Sequence, residues 1–398
     1  MSFRSAERHN TAIGRALAIA LLVVLVAAPA ATARVRLPPG VELERYASGI
    51  PNPSNLAFDP RGRLWVTSAG VATAPSDGVW MVPRRGARPR QVVSGLFSAL
   101  GLTWHRGELY VSHVVPYATF APSHTGRVVA YSGFDGRRFA RRRIVVDGLP
   151  TGQHRVDSIV AGPGGRMYLG VGSQADNERS PQPLSATVVS FRPHGGGLRA
   201  EARGLRNPYG LAVAPDGRRL LVSEHGRDDL GLRRPPEEVN LLDPRGPARW
   251  YGFPECWDQG GAACRGAEAP LVRLAAHSAP GAIAVAERFG RWGPSAFVTR
   301  FGSSFDENPT GGDVVRVSLA RLGRRGAPVE RFATGFGRQE PLGVALGPDG
   351  SLYVCLWTSG RIVRLVPRRV APAAEAEASP LRLLAVLAGL CRALGVCS

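Results

Sequence analysis

The sequence predicts an all-β fold, a six-bladed β-propeller whose ring is closed by the amino-terminal strand. Two observations carry this. One pattern of strand, turn and strand recurs six times along the chain, and the last repeat is one strand short while the chain begins with one to spare.

The repeats, in order, are "NLAFDPRGRLWVTSAG", "GLTWHRGELYVSH", "SIVAGPGGRMYLGVG", "GLAVAPDGRRLLVSEHG", "AIAVAERFGRWGPSAFVTRFG" and "GVALGPDGSLYVCLW". In each, short apolar runs flank a turn rich in Gly, Pro or Asp, which reads as two antiparallel strands. A third strand follows every one: "GVWMV", "GRVVAY", "ATVVSF", "EVNLL", "DVVRV" and "RIVRLV". A fourth closes most units with a polar, Gly, apolar ending, as in "QVVSGL", "RIVVDGL", "AEARGL" and "RFATGF". The sixth unit lacks one, and "LERYASGI" at Leu43 to Ile50 belongs to no other unit. Pairing the two closes the ring and hides the sheet edges. Two separate β-sandwich domains, the competing arrangement, would leave that strand orphaned.

At 398 residues and 44% hydrophobic composition, the chain can bury a large core. Its formal charge of +19 comes entirely from arginine, with no lysine, and the arginines are scattered, often in turns such as those of Arg61, Arg63, Arg218 and Arg219. That distribution reads as coding bias rather than a nucleic-acid surface, so no nucleic-acid partner is expected.

Residues 1–33 carry Arg4, Arg8 and Arg15, an apolar run from Ala16 to Ala28, and "APAATA" before Arg34. This is the pattern of a secretory signal peptide cleaved after Ala33, a retained anchor being the competing reading. Export to a periplasmic or extracellular compartment, with or without membrane association, makes a disulfide between Cys256 and Cys264 in "PECWDQGGAAC" expected. Cys355, in an apolar strand, reads as a buried thiol. The propeller is assigned to 34–368 and a linker to 369–380. A carboxy-terminal amphipathic helix follows at 381–398, "LRLLAVLAGLCRALGVCS", interrupted by Arg382 and Arg392 and too short and charged to read as a membrane span. It reads as a docking helix or as a peripheral membrane contact.

In a propeller the innermost strand of each blade runs away from one face and the second returns to it. Residues entering the first and leaving the second therefore meet around one end of the channel. Blade 4 places Arg206, Asn207, Glu224 and His225 there, and blade 3 places Gln153, His154 and Asp157. Asn55 and His113 come from blades 1 and 2, His277 and Arg300 from blade 5, and Arg338, Glu340 and Trp357 from blade 6. Such convergence is the default form of a binding site. His154 could accept a proton from a bound hydroxyl, while Arg206 and Asn207 offer a cation and an amide to an anionic or carbonyl ligand. His113, His225 and His277 could in principle hold zinc, but their spacing carries no ligand signature. Asp228, Asp229, Glu237 and Glu238 are hard oxygen donors of the kind calcium takes, or else a solvated acidic loop.

The segments "RGLRNPYGLAVAPDG", "SEHG", "EEVNLL", "WYGFPEC", "AHSAPGAIAV" and "LGPDGSLYV" occur in the order seen in the soluble PQQ-dependent glucose and sorbosone dehydrogenase family, which the chain resembles over about residues 38 to 367. The resemblance implies a six-bladed propeller that binds pyrroloquinoline quinone (PQQ) and calcium. It would oxidise an aldose-type sugar to its lactone and hand electrons to an external acceptor. It makes His154 the catalytic base and Arg206 the group that stabilises charge on the quinone oxygen. Asn207, Arg300, Arg338 and Trp357 become further cofactor contacts, and Gln153 and Asp157 substrate contacts. The carbonyls of Gly226 and Arg227 would hold the active-site calcium, and Glu238 a structural one. Glu340 and Leu342 stand where the family has basic groups, and Gln153 where sugar-oxidising members have an acid. Two alternatives follow: a propeller that has lost the quinone and binds carbohydrate or a partner, and a calcium-dependent lactonase.

Overall fold

A computed structural model describes residues 35–368 apart from 71–75, 116–124, 304–306, 308 and 339. The signal peptide, the linker and the carboxy-terminal helix lie outside the described residues. Among the described residues there is no α-helix, and no helix long and apolar enough to cross a membrane.

In chain order the strands are β1 (Val41–Ser48), then β2 (Pro53–Phe58), β3 (Leu64–Ser68), β4 (Gly78–Val82) and β5 (Arg90–Ser94) of blade 1. Blade 2 contains β6 (Gly101–His105), β7 (Glu108–Val115), β8 (Thr125–Phe134) and β9 (Phe139–Pro150). Blade 3 contains β10 (Val156–Ala161), β11 (Met167–Val171), β12 (Thr187–Phe191) and β13 (Arg199–Arg203). Blade 4 contains β14 (Pro208–Val213), β15 (Leu220–Glu224), β16 (Glu237–Leu242) and, after the short β17 (Arg249–Trp250), β18 (Val272–Leu274). Blade 5 contains β19 (Pro280–Ala286), β20 (Ser295–Arg300), β21 (Asp313–Ser318) and β22 (Val329–Ala333). Blade 6 contains β23 (Pro341–Leu346), β24 (Leu352–Leu356) and β25 (Arg361–Pro367).

Six sheets result, and β17 adds a fifth strand to blade 3, parallel to β13. The ring closes as the strand count requires: β1 pairs antiparallel with β25, from Val41 opposite Pro367 to Ser48 opposite Arg361. The closing strand lies two residues earlier than the sequence suggested, because Gly49 leaves it in a left-handed turn (φ 87°).

The second strand of each blade is sandwiched on both faces, so β3, β11, β15 and β24 are buried at every residue and read as continuous apolar runs. Polar residues enter these strands at their upper ends, Ser68 and Glu224 among them, and one register position there recurs in all six blades. It holds Thr67, Ser112, Gly170, Ser223, Thr299 and Cys355 in blades 1 to 6. Ser112 Oγ donates to the Asp157 carbonyl of the next blade (2.6 Å), Ser223 Oγ to that of Gly281 (2.7 Å) and Thr299 Oγ1 to that of Leu342 (2.6 Å). In blade 1 the link is indirect, since Ser54 Oγ donates to Ala99 O at 2.6 Å and lies 3.0 Å from Thr67 Oγ1. These hydroxyls satisfy inner-strand carbonyls that face the next blade rather than a ladder partner. Cys355 is a buried free thiol, its pKa pushed up by burial.

The same junctions demand small residues. A Cβ on Gly101 would lie 2.3 Å from the Asp157 carbonyl oxygen. Gly101→Ala is therefore expected to destabilise the propeller by about 1–3 kcal/mol, read as a lower denaturation midpoint, because the blades must shift to admit a methyl group.

The ring has two faces. The inner strands begin on the upper face. The turns joining first to second and third to fourth strands lie on the lower face.

Candidate functional site

The described part of the upper face is built mainly by blades 3 and 4. Arg206 precedes β14, and its side chain is only 3% exposed. Its Nη1 donates to the Gly226 carbonyl (2.5 Å), its Nε to the Asp176 carbonyl (2.8 Å), and its Nη2 to the carboxylates of Asp176 and of Asp228 (2.8 Å to the latter). Beneath it, Glu224 Oε1 accepts the Arg206 amide at 2.7 Å. The guanidinium is thus clamped between two loops that each leave a second strand, β11 in blade 3 and β15 in blade 4.

His154 lies in the loop before β10, half-buried, with its amide donating to the Ser173 carbonyl at 3.0 Å. Its Nε2 is buried without a hydrogen-bond partner and stands 3.6 Å from Asp176 Oδ1. Burial holds the imidazole pKa below its ordinary value, against the attraction of Asp176, so the ring is neutral at neutral pH. The His154 ring and then Arg206 hold the Asp176 carboxyl below the usual carboxylate range. Asn207 Nδ2 faces His225 Nδ1 at 3.1 Å, while Asn207 Oδ1 is buried and unpartnered. Between His154 and Asn207 lies Gly172, where a Cβ would come within 2.3 Å of His154 Cβ and 3.0 Å of Asn207 Oδ1. His154 and Asn207 pack so closely over this residue that only glycine fits there.

Several residues expected at the mouth are placed differently. Asp157 is 1% exposed, set in the channel wall, and burial raises its pKa well above the usual value. One residue into an inner strand is already too deep to meet a substrate at the mouth. Arg300 is buried in a bidentate pair with Asp313, both contacts 2.7 Å, which leaves its charge internally neutralised rather than presented to a cofactor. The three histidines do not converge on a metal. His113 is buried against the Val114 carbonyl (3.0 Å), and His225 Nε2 faces the Pro280 carbonyl (2.9 Å) with its ring stacked on Tyr209. Burial lowers the pKa of both rings to about 4. His277 sits between Asp228 Oδ1 (3.2 Å) and the Gly231 carbonyl (2.9 Å).

Other candidates do reach the rim. Gln153 is exposed, and Arg338 is exposed with Nη2 donating to the Ser303 carbonyl at 3.2 Å. Trp357 donates from Nε1 to the Ala69 carbonyl (2.9 Å) and meets Phe301 edge to face. Glu340 is half-buried and its Oε2 accepts from Ser359 Oγ at 3.0 Å.

The acid-rich loop of blade 4 divides. Asp228 serves Arg206, and Asp229 pairs with Arg227. Glu237 accepts the amides of Gly226 (2.6 Å) and Ala279 (3.4 Å). Glu238 and Glu224 instead line a small cavity of about 30 Å³ together with Gly226, Arg227 and Tyr251. Asn240 Nδ2 donates to both carboxylates at 3.1 Å, and its Oδ1 is buried and unpartnered. Burial raises the Glu238 pKa to about 7 and that of Glu224 well above its usual value. Cys256 and Cys264 are disulfide-bonded in the loop beside this cavity. Among the described residues no cluster of three or more His, Cys, Asp or Glu side chains is arranged to hold a metal ion. A larger cavity of about 420 Å³ lies between Arg179, Arg203, Trp250 and Phe253, and Phe253 lines both cavities.

Asp176 is the residue that sequence reasoning missed. It follows β11 in "GSQADNERS", the position in blade 3 that corresponds to "EHGRDD" after β15 in blade 4. The rule that second-strand exits face the site would have found it.

No protein-family model matches the chain. A curated uncharacterized protein of Borreliella burgdorferi is 21% identical over 236 residues, 58% of this chain, and this chain spans 59% of that relative's length. Among solved structures, the Trichoderma reesei carbohydrate-active enzyme of family AA12 aligns with a TM-score of 0.69 at 19% identity, covering 85% of this chain and 98% of that one. The PQQ domain of Coprinopsis cinerea pyranose dehydrogenase aligns at 0.65 and 20% identity, covering 84% and 97%. A putative oxidoreductase (glucose dehydrogenase) of Thermus thermophilus aligns at 0.64 and 26% identity, covering 82% and 100%. At these identities the first two similarities establish a shared fold across nearly the whole propeller.

Proposed function

We propose that this propeller is an exported PQQ- and calcium-dependent dehydrogenase that oxidises an aldose-type sugar at its upper face. The observation that carries the reading is the pair of buried, unpartnered polar atoms on the upper face, His154 Nε2 and Asn207 Oδ1, carried by loops that pack together over Gly172. Buried polar atoms without partners mark a place where a ligand completes the structure. The Thermus and Coprinopsis structures, named as a glucose dehydrogenase and a pyranose dehydrogenase PQQ domain, support the same class.

PQQ would be held by Arg206 and Asn207, with Arg338 and Trp357 at the rim, and calcium by the oxygens around Gly226 and by Glu238 with Glu224. When bound, the quinone supplies a two-electron acceptor and calcium a Lewis acid. The chain does the rest. His154, neutral because it is buried, takes the proton of the sugar hydroxyl on Nε2, and the imidazolium so formed lies beside the Asp176 carboxylate. Arg206 is fixed from three sides by the Gly226 carbonyl and the Asp176 and Asp228 carboxylates, so its N–H groups need not reorganise as negative charge develops nearby, although the two carboxylates offset its charge. The paired acids Glu224 and Glu238 suit a cation, since each raises the cost of ionising the other.

A second reading, a propeller without a quinone that binds carbohydrate, draws on Glu340 at the rim and on the neutralisation of Arg300 by Asp313. Calorimetric titration of PQQ with calcium present, followed by dye reduction with a panel of aldoses, separates the two. Tight binding with turnover is expected; absence of binding at saturating calcium would select the second reading. Independently, calcium alone is expected to raise the melting temperature, and Glu238→Ala to abolish that rise, because a ligand that binds only the folded state stabilises it.

A further inference from the structure

The lower face has a chemistry of its own. Its turn aspartates are engaged by backbone: Asp59 Oδ1 accepts the amides of Arg61 (2.9 Å) and Arg63 (3.0 Å), and Asp135 Oδ1 those of Arg137 (2.7 Å) and Arg138 (2.8 Å). Asp216 Oδ1 does the same for Arg218 (2.9 Å) and Arg219 (3.0 Å). Arg61, Arg137, Arg138 and Arg218 are exposed on these turns. Exposed Arg84, Arg88, Arg106 and Arg192 add to them from the hairpin turns of blades 1 to 3.

In blade 5 the turn between β21 and β22 encloses a cavity of about 330 Å³ lined by Arg321, Arg324 and Arg325, with Ser318 and Pro328. The carboxylate of Glu330, near the start of β22, is held by another arginine, Arg316. Three guanidinium groups around one cavity are suited to a phosphate, which each can meet with paired N–H donors.

The chain termini of the propeller are on this face as well. β1 begins and β25 ends here, and the Arg368 amide donates to the Gly40 carbonyl at 2.8 Å. The sequence that continues from residue 368 includes the apolar "LRLLAVLAGLCRALGVCS". Stable attachment to a bilayer takes two signals, and a basic face at which the chain continues into a sequence with an apolar segment offers both. We propose that the lower face docks on an anionic lipid bilayer, with the cavity of Arg321, Arg324 and Arg325 receiving a lipid phosphate and the upper face turned toward solvent.

The test is co-sedimentation of the mature full chain with vesicles of phosphatidylcholine alone or containing phosphatidylglycerol. Binding is expected only to the anionic vesicles, is weakened by salt, and falls by at least about tenfold in R321E/R324E/R325E. These positions are exposed turn residues, so an unchanged melting temperature shows that the variant is folded. R179E, an upper-face charge reversal, should bind like the parent. Binding that is insensitive to salt and to the triple reversal would overturn the proposal, assigning attachment to the apolar segment alone. So would tighter binding to duplex DNA than to anionic vesicles.

Discussion

His154→Ala is expected to lower kcat for sugar oxidation by about 10²–10⁴-fold, the usual contribution of a positioned base, with little change in melting temperature. The His154 side chain is only 14% exposed, but its Nε2 has no hydrogen-bond partner, so its removal breaks no side-chain hydrogen bond of the fold. The pH profile adds a second readout. Burial depresses the His154 pKa, and the neutral ring is the competent form, so activity should persist below the ordinary imidazole pKa before falling as the ring is protonated. Asp176 opposes the depression. Asp176→Asn is therefore expected to move the acid limb to still lower pH and to reduce kcat, because the imidazolium formed during turnover loses its counter-charge. An acid limb unmoved by Asp176→Asn would show that the carboxylate does not act through His154.

Arg300→Ala is expected to cost about 3–5 kcal/mol of stability, measured by denaturant unfolding, while leaving PQQ affinity of the folded protein unchanged. The reason is Asp313, whose side chain is fully buried. Without Arg300 it would keep only Arg331, itself 67% exposed, at 3.1 Å. A buried carboxylate that loses its bidentate partner is among the costliest defects a core can carry. The opposite result, an unmoved midpoint with a large loss of PQQ affinity, would return Arg300 to the cofactor role that the family resemblance implies. The two outcomes separate a structural ion pair from a ligand contact.

What could be read from sequence was whatever repeats. Turn residues and strand periodicity recur six times, so blade number, the spare amino-terminal strand and the face on which the candidate residues meet follow from local pattern and strand count. His154, Arg206 and Asn207 were found by the same rule, because loop entries to inner strands share one end of the channel. Tertiary structure alone decided the rest. Whether a charged residue near the mouth meets a ligand or another side chain depends on neighbours distant in sequence: Asp313 for Arg300, Asp176 and Asp228 for Arg206. Asp157 and Gln153 differ by four positions, yet one lies buried in the channel wall and the other faces solvent. The arginines looked like scattered coding bias along the chain, and only folding gathers those of the turns on one face, because every such turn lies at the same end of its blade.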